Sequence, residues 1–253
     1  MSIRTATING VATIEIARPE KKNAITRAMY SAMAEALDAA MADDAVRALL
    51  ITGQPGIFTS GNDIEDFVQR PPESPESPAF VFMKALLACD KPVVAAVTGA
   101  AIGIGTTMLL HCDFVYVSDE ARLAMPFVSL GLVPEFASSV FIPQLLGNVR
   151  AAEKLLLGDP FTGAEAVEAG IANAVLPAGE VALHARRVAE RFNALPPGAV
   201  RETKRLLRRA RSAAVLETIG VEAQAFATRL RSPEAKEAFG AFFQKRKPDF
   251  SRF

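Results

Sequence analysis

The stretch that most constrains this chain runs from Lys91 to Ser139, KPVVAAVTGAAIGIGTTMLLHCDFVYVSDEARLAMPFVSLGLVPEFASS. Pro92 to Val97 is an apolar, β-branched run and reads as a buried strand. Gly99, Gly103 and Gly105 punctuate a turn into an apolar helix, roughly Ile104 to Leu110, and Phe114 to Ser118 reads as the next strand. Glycines let backbone approach a ligand closely. The first N–H groups of a helix lack intrahelical partners and sit at the positive end of its dipole, so they can hold a negative oxygen. Pro134 precedes Glu135 at the start of a further predicted helix, leaving one carboxylate at a helix N-terminus with few charges near it in sequence. Each feature alone is ordinary α/β chemistry. No full Gly-x-Gly-x-x-Gly is present, because Gly103-Ile104-Gly105 is followed by Met108, and no Gly-Lys-Ser occurs. A dinucleotide or nucleoside triphosphate site is therefore not expected.

The chain has 253 residues, half of them hydrophobic, enough for one large domain or a domain with an appendage. Lys+Arg and Asp+Glu balance at 28 each, which gives no reason to expect nucleic acid. The cysteines, Cys89 and Cys112, lie in apolar segments and read as buried thiols of a reduced compartment. His111 abuts Cys112 and Asp113, but the chain has no His-x-x-x-His or Cys-x-x-Cys, so a local polar role is favoured and no metal is expected. No apolar run reaches membrane-spanning length, the N-terminus has no secretory core, and Ser251-Arg252-Phe253 only loosely echoes a peroxisomal address. A cytoplasmic location is the expectation.

Taken in order, Val11 to Ala17 alternates as a strand, and Thr26 caps a helix to about Met41. Val46 to Thr52 is a second, nearly uninterrupted apolar strand. Phe58 to Ile64 leads into a short helix, and the proline-rich segment Gln69 to Pro78 reads as a mobile loop before a helix from Phe80 to Ala88. Strands and helices alternate to about Val175, which predicts a mixed α/β core. Beyond Glu180 the pattern is helical, with candidates over Ala199–Ala210, Ala213–Leu230 and Pro233–Phe243. Lys204, Arg205, Arg208, Arg209 and Arg211 read as the solvated basic face of an amphipathic helix, since no aromatic residues interleave them for base stacking. Such a helix has an apolar face to bury on the core or on another subunit.

Four pieces in the right order carry a resemblance to the crotonase (enoyl-CoA hydratase/isomerase) superfamily over nearly the whole chain. Arg18-Pro19-Glu20-Lys21-Lys22-Asn23-Ala24 resembles that family's first CoA-contact turn, and Phe58-Thr59-Ser60-Gly61-Asn62-Asp63 its first oxyanion loop. Lys91 to Gly99 with Ala101-Ile102-Gly103 resembles its second oxyanion loop, and Ala241 to Phe250 its C-terminal signature. The resemblance implies a ClpP-like spiral of ββα units over residues 1–195, carrying the acyl-CoA site. It implies a helical region over residues 196–253 that builds a homotrimer or dimer of trimers and covers the site. Acyl-CoA is the implied substrate, with coenzyme A as part of it and no separate cofactor. Matched by position, the N–H groups of Asn62 and Ile104 are the implied oxyanion donors. Ser60, Gly61, Asn62, Asp63, Ile64, Gly103 and Ile104 line the thioester site by the same matching, with Lys22, Ala24 and Lys245 toward the CoA end. Asp63 also reads as a helix cap, and Asp113 as the fixing point of a helix-to-strand turn.

The departures from the family decide the expected reaction. The two glutamates of the superfamily's hydratases fall at Thr107 and at Phe127, after Pro126, so both carboxylates are missing. Pro134-Glu135-Phe136-Ala137-Ser138-Ser139 resembles the Pro-Glu-x-x-Ser-Ser of the peroxisomal-type Δ3,Δ2-enoyl-CoA isomerases. Glu135 is then the implied catalytic base, moving a proton from C2 to C4 in metabolism of the fatty-acid oxidation type. Phe127, Phe136 and Thr107 are acyl-pocket candidates, although buried Phe is ordinary core packing as well. Hydration or thioester hydrolysis, and a non-catalytic acyl-CoA-binding protein, stand as alternatives.

Overall fold

The computed structural model describes residues 2–71 and 76–253; Pro72 and Pro75 of the expected loop lie outside the described residues. Among the described residues there are ten strands: β1 (Ile3–Ile8), β2 (Val11–Ile16), β3 (Ala48–Thr52), β4 (Ile57–Thr59), β5 (Val93–Val97), β6 (Ala100–Ile102), β7 (Phe114–Ser118), β8 (Arg122–Ala124), β9 (Phe161–Thr162) and β10 (Ala174–Leu176). They form two sheets, ordered β1-β2-β3-β5-β7-β10 and β4-β6-β8-β9. Each of the pairs β3/β4, β5/β6 and β7/β8 contributes its first strand to the large sheet and its second to the small one. From β2 through β10 the large sheet is parallel, and only β1 runs antiparallel to its neighbour. This is a right-sized repeat for the ββα spiral, and the chain has the crotonase fold with a helical C-terminal region.

The apolar runs that do not alternate are explained by burial on both faces. Leu50, Val94 and Ala96 face the helix Val181–Glu190, through Val181, Ala185 and Ala189. Leu49, Ile51, Val93, Ala95 and Val97 face the other way, into the cluster with Met33, Leu37, Phe82 and Leu86. Those partners come from the helices Arg27–Ala42 and Pro78–Ala88, which cross-pack through Tyr30 and Phe82.

Several boundaries differ from expectation. The helix expected from Phe80 begins at Pro78, where a proline at N1 gives up an N–H that has no partner anyway. The helix expected over Ile104–Leu110 is one α-turn, Ile104–Thr107, followed by a 3₁₀ turn, Met108–His111. Two C-terminal helix candidates are in fact one 34-residue helix, Pro197–Leu230, followed by Pro233–Phe243. The basic face of that helix is not wholly solvated. Lys204 is buried and reaches Asp113 at 2.6 Å and the Lys91 carbonyl at 2.6 Å. Arg208 reaches the His111 carbonyl at 2.8 Å and Asp113 at 3.2 Å. Asp113 also accepts from the Val93 N–H at 2.8 Å, so it does hold the turn into β7. Among the described residues no helix is long and apolar enough to cross a membrane.

Candidate active site

The loops after β4 and β6 leave adjacent parallel strands on the same edge of the small sheet, with Thr59 opposite Ala101. In the first loop, the Ile25 N–H donates to the Gly61 carbonyl at 2.8 Å, and the Asp63 N–H donates to the Ile25 carbonyl at 2.9 Å. That bridge pins both neighbours of Asn62 and leaves the Asn62 N–H out. In the second loop, the N–H groups of Thr106 and Thr107 return to the Gly103 carbonyl at 2.9 and 3.0 Å, leaving Ile104 at the first helical position. Among the described residues neither the Asn62 nor the Ile104 N–H meets an acceptor. Gly61 holds φ +91°, and a Cβ there would lie 2.9 Å from the Ile102 carbonyl oxygen, so only glycine lets the two loops approach.

The turn over residues 18–24 is fastened to this edge. Ser60 N–H donates to the Lys22 carbonyl at 3.1 Å, and buried Asn23 donates to the carbonyls of Ile57 and Phe58, each at 3.1 Å. Arg18 reaches the Ala24 carbonyl at 3.0 Å and Asp63 at 2.6 Å. Burial works against the Asp63 carboxylate, but Arg18 and two backbone N–H groups prevail and hold it below its usual range. Asp63 also caps the helix Ile64–Gln69 through the Asp66 N–H at 3.1 Å. Lys22, Ala24, Ser60, Gly61, Asn62, Asp63 and Ile64 are therefore brought together, with Lys22 exposed. Lys245 stands apart: it is exposed just beyond the helix Pro233–Phe243, and no hydrogen bond among the described residues joins it to these loops.

Glu135 is buried, 8 % exposed, and lines a cleft with Asn62, Tyr30, Phe136, Phe226 and Glu222. The Thr107 hydroxyl donates to its Oε1. Burial pushes the Glu135 carboxyl up to about 8; the Thr107 hydrogen bond opposes this, and the charge of Glu222 adds to it. Of the acyl-pocket candidates, Phe136 lines the cleft, Thr107 lies beneath the carboxylate, and Phe127 is buried with its ring 3.8 Å from where a Cβ on Gly103 would be.

Glu135 does not begin a helix. The helix starts at Ser138, and Phe136 and Ala137 before it both adopt the left-handed region, at φ +57° and +58°. Two such side-chain-bearing residues cost on the order of 1–3 kcal/mol each unless the surroundings hold them. His111 Nε2 lies 2.7 Å from the Phe136 carbonyl, and its ring stacks on Phe136 at 3.8 Å. Burial pulls the His111 pKa down to about 3, so the neutral ring donates there. Ser138 Oγ donates to the Glu135 carbonyl at 2.7 Å.

Five residues of the cleft were not legible in the sequence. Tyr30 donates to Asn62 Oδ1 at 2.6 Å, with its phenol pKa raised by burial and by the nearby Glu135. Tyr30 sits at an ordinary core position of its helix, so nothing local marks it. The long C-terminal helix supplies Ile219, Ala223 and Phe226 to the cleft, and Glu222 comes from the same helix. Only the three-dimensional packing shows these.

The chain matches the enoyl-CoA hydratase/isomerase family over residues 6–252. It belongs to that family. It is 36% identical to human enoyl-CoA delta isomerase 2 over 208 residues, 79% of this chain, and spans 52% of that relative's length. It is 28% identical to the 2,3-dehydroadipyl-CoA hydratase of Escherichia coli K12, covering 95% of this chain and 94% of the other. Among solved structures, Pseudomonas aeruginosa OdaA superposes with a TM-score of 0.94 at 54% identity, covering 95% of this chain and 98% of that one.

Proposed function

We propose that the protein is a Δ3,Δ2-enoyl-CoA isomerase with Glu135 as its single base. One observation carries this reading: the buried Glu135 carboxylate, raised to about 8, faces an apolar cleft beside the Asn62 loop, while the other buried carboxylate there, Glu222, is tied up by backbone N–H groups. A 3-enoyl-CoA presents C2 protons flanked by a thioester and a double bond. Glu135 removes one, and the resulting dienolate places charge on the thioester oxygen. The N–H groups of Asn62 and Ile104, which lack acceptors of their own, receive that oxygen. Glu135 then returns the proton to C4, giving the conjugated trans-2-enoyl-CoA. Phe136, Phe226 and Met83 form the apolar wall that keeps the base desolvated. Coenzyme A enters as part of the substrate, held at the Lys22–Ala24 turn, and no further cofactor is used.

Glu222 does not act as the second carboxylate of a hydratase, because both its oxygens are already engaged by N–H and O–H donors. The isomerase names among the relatives point the same way, while the hydratase names keep hydration as the competing outcome. Residues 196–253 form the cover of the site and the assembly surface of a trimer or dimer of trimers, in keeping with Ile219, Ala223 and Phe226 on the cleft wall. The test supplies purified protein with a 3-enoyl-CoA and follows the conjugated enoyl-thioester absorbance. Wild type should produce it, and Glu135→Gln should be slower by about a thousandfold. A 3-hydroxyacyl-CoA product, or full rate in Glu135→Gln, would defeat the assignment.

A further inference from the structure

The turn that presents Glu135 is capped from outside its own segment. Ala137 precedes the helix Ser138–Leu146 at the capping position, yet an alanine side chain has no acceptor to offer. The acceptor comes instead from Glu222, 85 residues later in sequence. Its Oε2 accepts from the Ala137 N–H at 2.6 Å, and its Oε1 accepts from the Ser139 N–H at 3.0 Å and the Ser139 hydroxyl at 2.5 Å. Glu222 is itself buried, 7 % exposed, and all three donors converge on its carboxylate. A carboxylate at a helix N-terminus is favoured by the orphan N–H groups and by the dipole. The strained pair Phe136–Ala137 lies between the carboxyl-bearing residue and these contacts, so what fixes the Ala137 and Ser139 amides also fixes the direction of Glu135.

We infer that Glu222 is the positioning residue of the site: a cap supplied by the C-terminal helix that sets the geometry of the base through the Ala137–Ser139 backbone. The inference rests on Glu135 being the base. It extends the role of the long helix from covering the cleft to aiming the residue within it. The groups around Glu135 come from four elements. They are Tyr30 from the helix Arg27–Ala42, the Thr107 hydroxyl from the second loop, Glu222 from the long helix, and His111 behind Phe136 with Arg208 and Arg211 beyond it. Of these, Glu222 carries a negative charge facing the base and also holds its backbone.

The experiment compares wild type, Glu222→Gln and Glu222→Ala by isomerase kinetics across pH, by thermal melting, and by ¹³C titration of the Glu135 carboxyl. Glu222→Gln is close to isosteric and turns an N–H₂ toward donors that need an acceptor, so it tests the cap without opening a void. The expected result is a loss in kcat of about 100-fold, with KM changed far less, since a misplacement near 1 Å costs that much. The Glu135 titration should move to lower pH in both variants, because the facing negative charge is gone; a purely structural role would lower the melting temperature and leave kcat of the folded Glu222→Gln in place. Wild-type kcat and an unmoved Glu135 midpoint in a folded Glu222→Gln would overturn the inference while leaving Glu135→Gln to decide the reaction. Should the wild type prove inactive on 3-enoyl-CoA, the reading of the reaction fails. The Glu135 midpoint and the hydrogen exchange of the Ala137 and Ser139 amides then decide the positioning role. Slow exchange in wild type that becomes fast in a folded Glu222→Ala supports it, and unchanged exchange refutes it.

Discussion

Glu135 has the basicity it has because water is kept from it, and that dependence can be read in two titrations. On the proposed assignment Glu135 is the base and must be deprotonated to act, so kcat/KM should rise with pH through about 8 and level off above. The Thr107 hydroxyl stabilises the charged form; Thr107→Val should therefore move that limb to higher pH. The same shift bears on stability. A carboxyl whose pKa is raised on folding favours the native state below its unfolded value, near 4.5, and that preference is lost as pH rises through about 8. Glu135→Gln removes the titration, so thermal melts should match wild type near pH 5 and show a more stable variant above pH 8. Glu135 itself was legible in the sequence from the Pro-Glu-x-x-Ser-Ser pattern. Its backbone was not, since the left-handed Phe136 and Ala137 depend on an acceptor far along the chain.

At the scale of elements, the two loops and the long helix behave differently as sequence. The loops announce themselves because glycine is needed where backbones nearly touch. Gly61→Ala would place a Cβ 2.9 Å from the Ile102 carbonyl oxygen at a φ of +91°, so the Asn62 N–H must shift. With the Asn62 N–H as a proposed oxyanion donor, we expect kcat to fall by about 100-fold, the typical cost of losing one such donor, with the melting temperature changed little by comparison. The sequence pattern divides the long helix in two because its inward stripe is not apolar. That stripe runs through Lys204, Arg208, Val215, Ile219, Glu222 and Phe226, so three of its six positions carry charge. A periodicity built on hydrophobic residues cannot detect a face that is fastened by ion pairs and hydrogen bonds.

For the whole molecule, the sequence shows β3, β5 and β7 because these central strands of the large sheet are buried and read as nearly unbroken apolar runs; their three-residue partners β4, β6 and β8 in the small sheet are too short to carry such a signal. The pairing of Asp113 with Lys204 and Arg208 was not visible, since its partners are about ninety residues apart. Asp113 joins β5, the turn into β7 and the C-terminal helix in one partly buried node. Asp113→Ala leaves Lys204 buried without its counter-charge, and urea unfolding should register a loss of about 3 kcal/mol or more. Assembly is read by sedimentation, where three or six times the 27.0 kDa chain mass is expected.

The unpartnered N–H groups of Asn62 and Ile104 carry a consequence for how such a protein can change its chemistry. On the proposed assignment, the half of the site that polarises the thioester is written in the main chain and comes with the fold, whatever side chains stand at those positions. The half that moves protons is a choice of side chain at very few places, with Thr107, Phe127 and Glu135 on three separate segments around one scaffold. A new reaction on the same class of thioester is then a matter of a few codons, and the architecture that activates the substrate need not be reinvented.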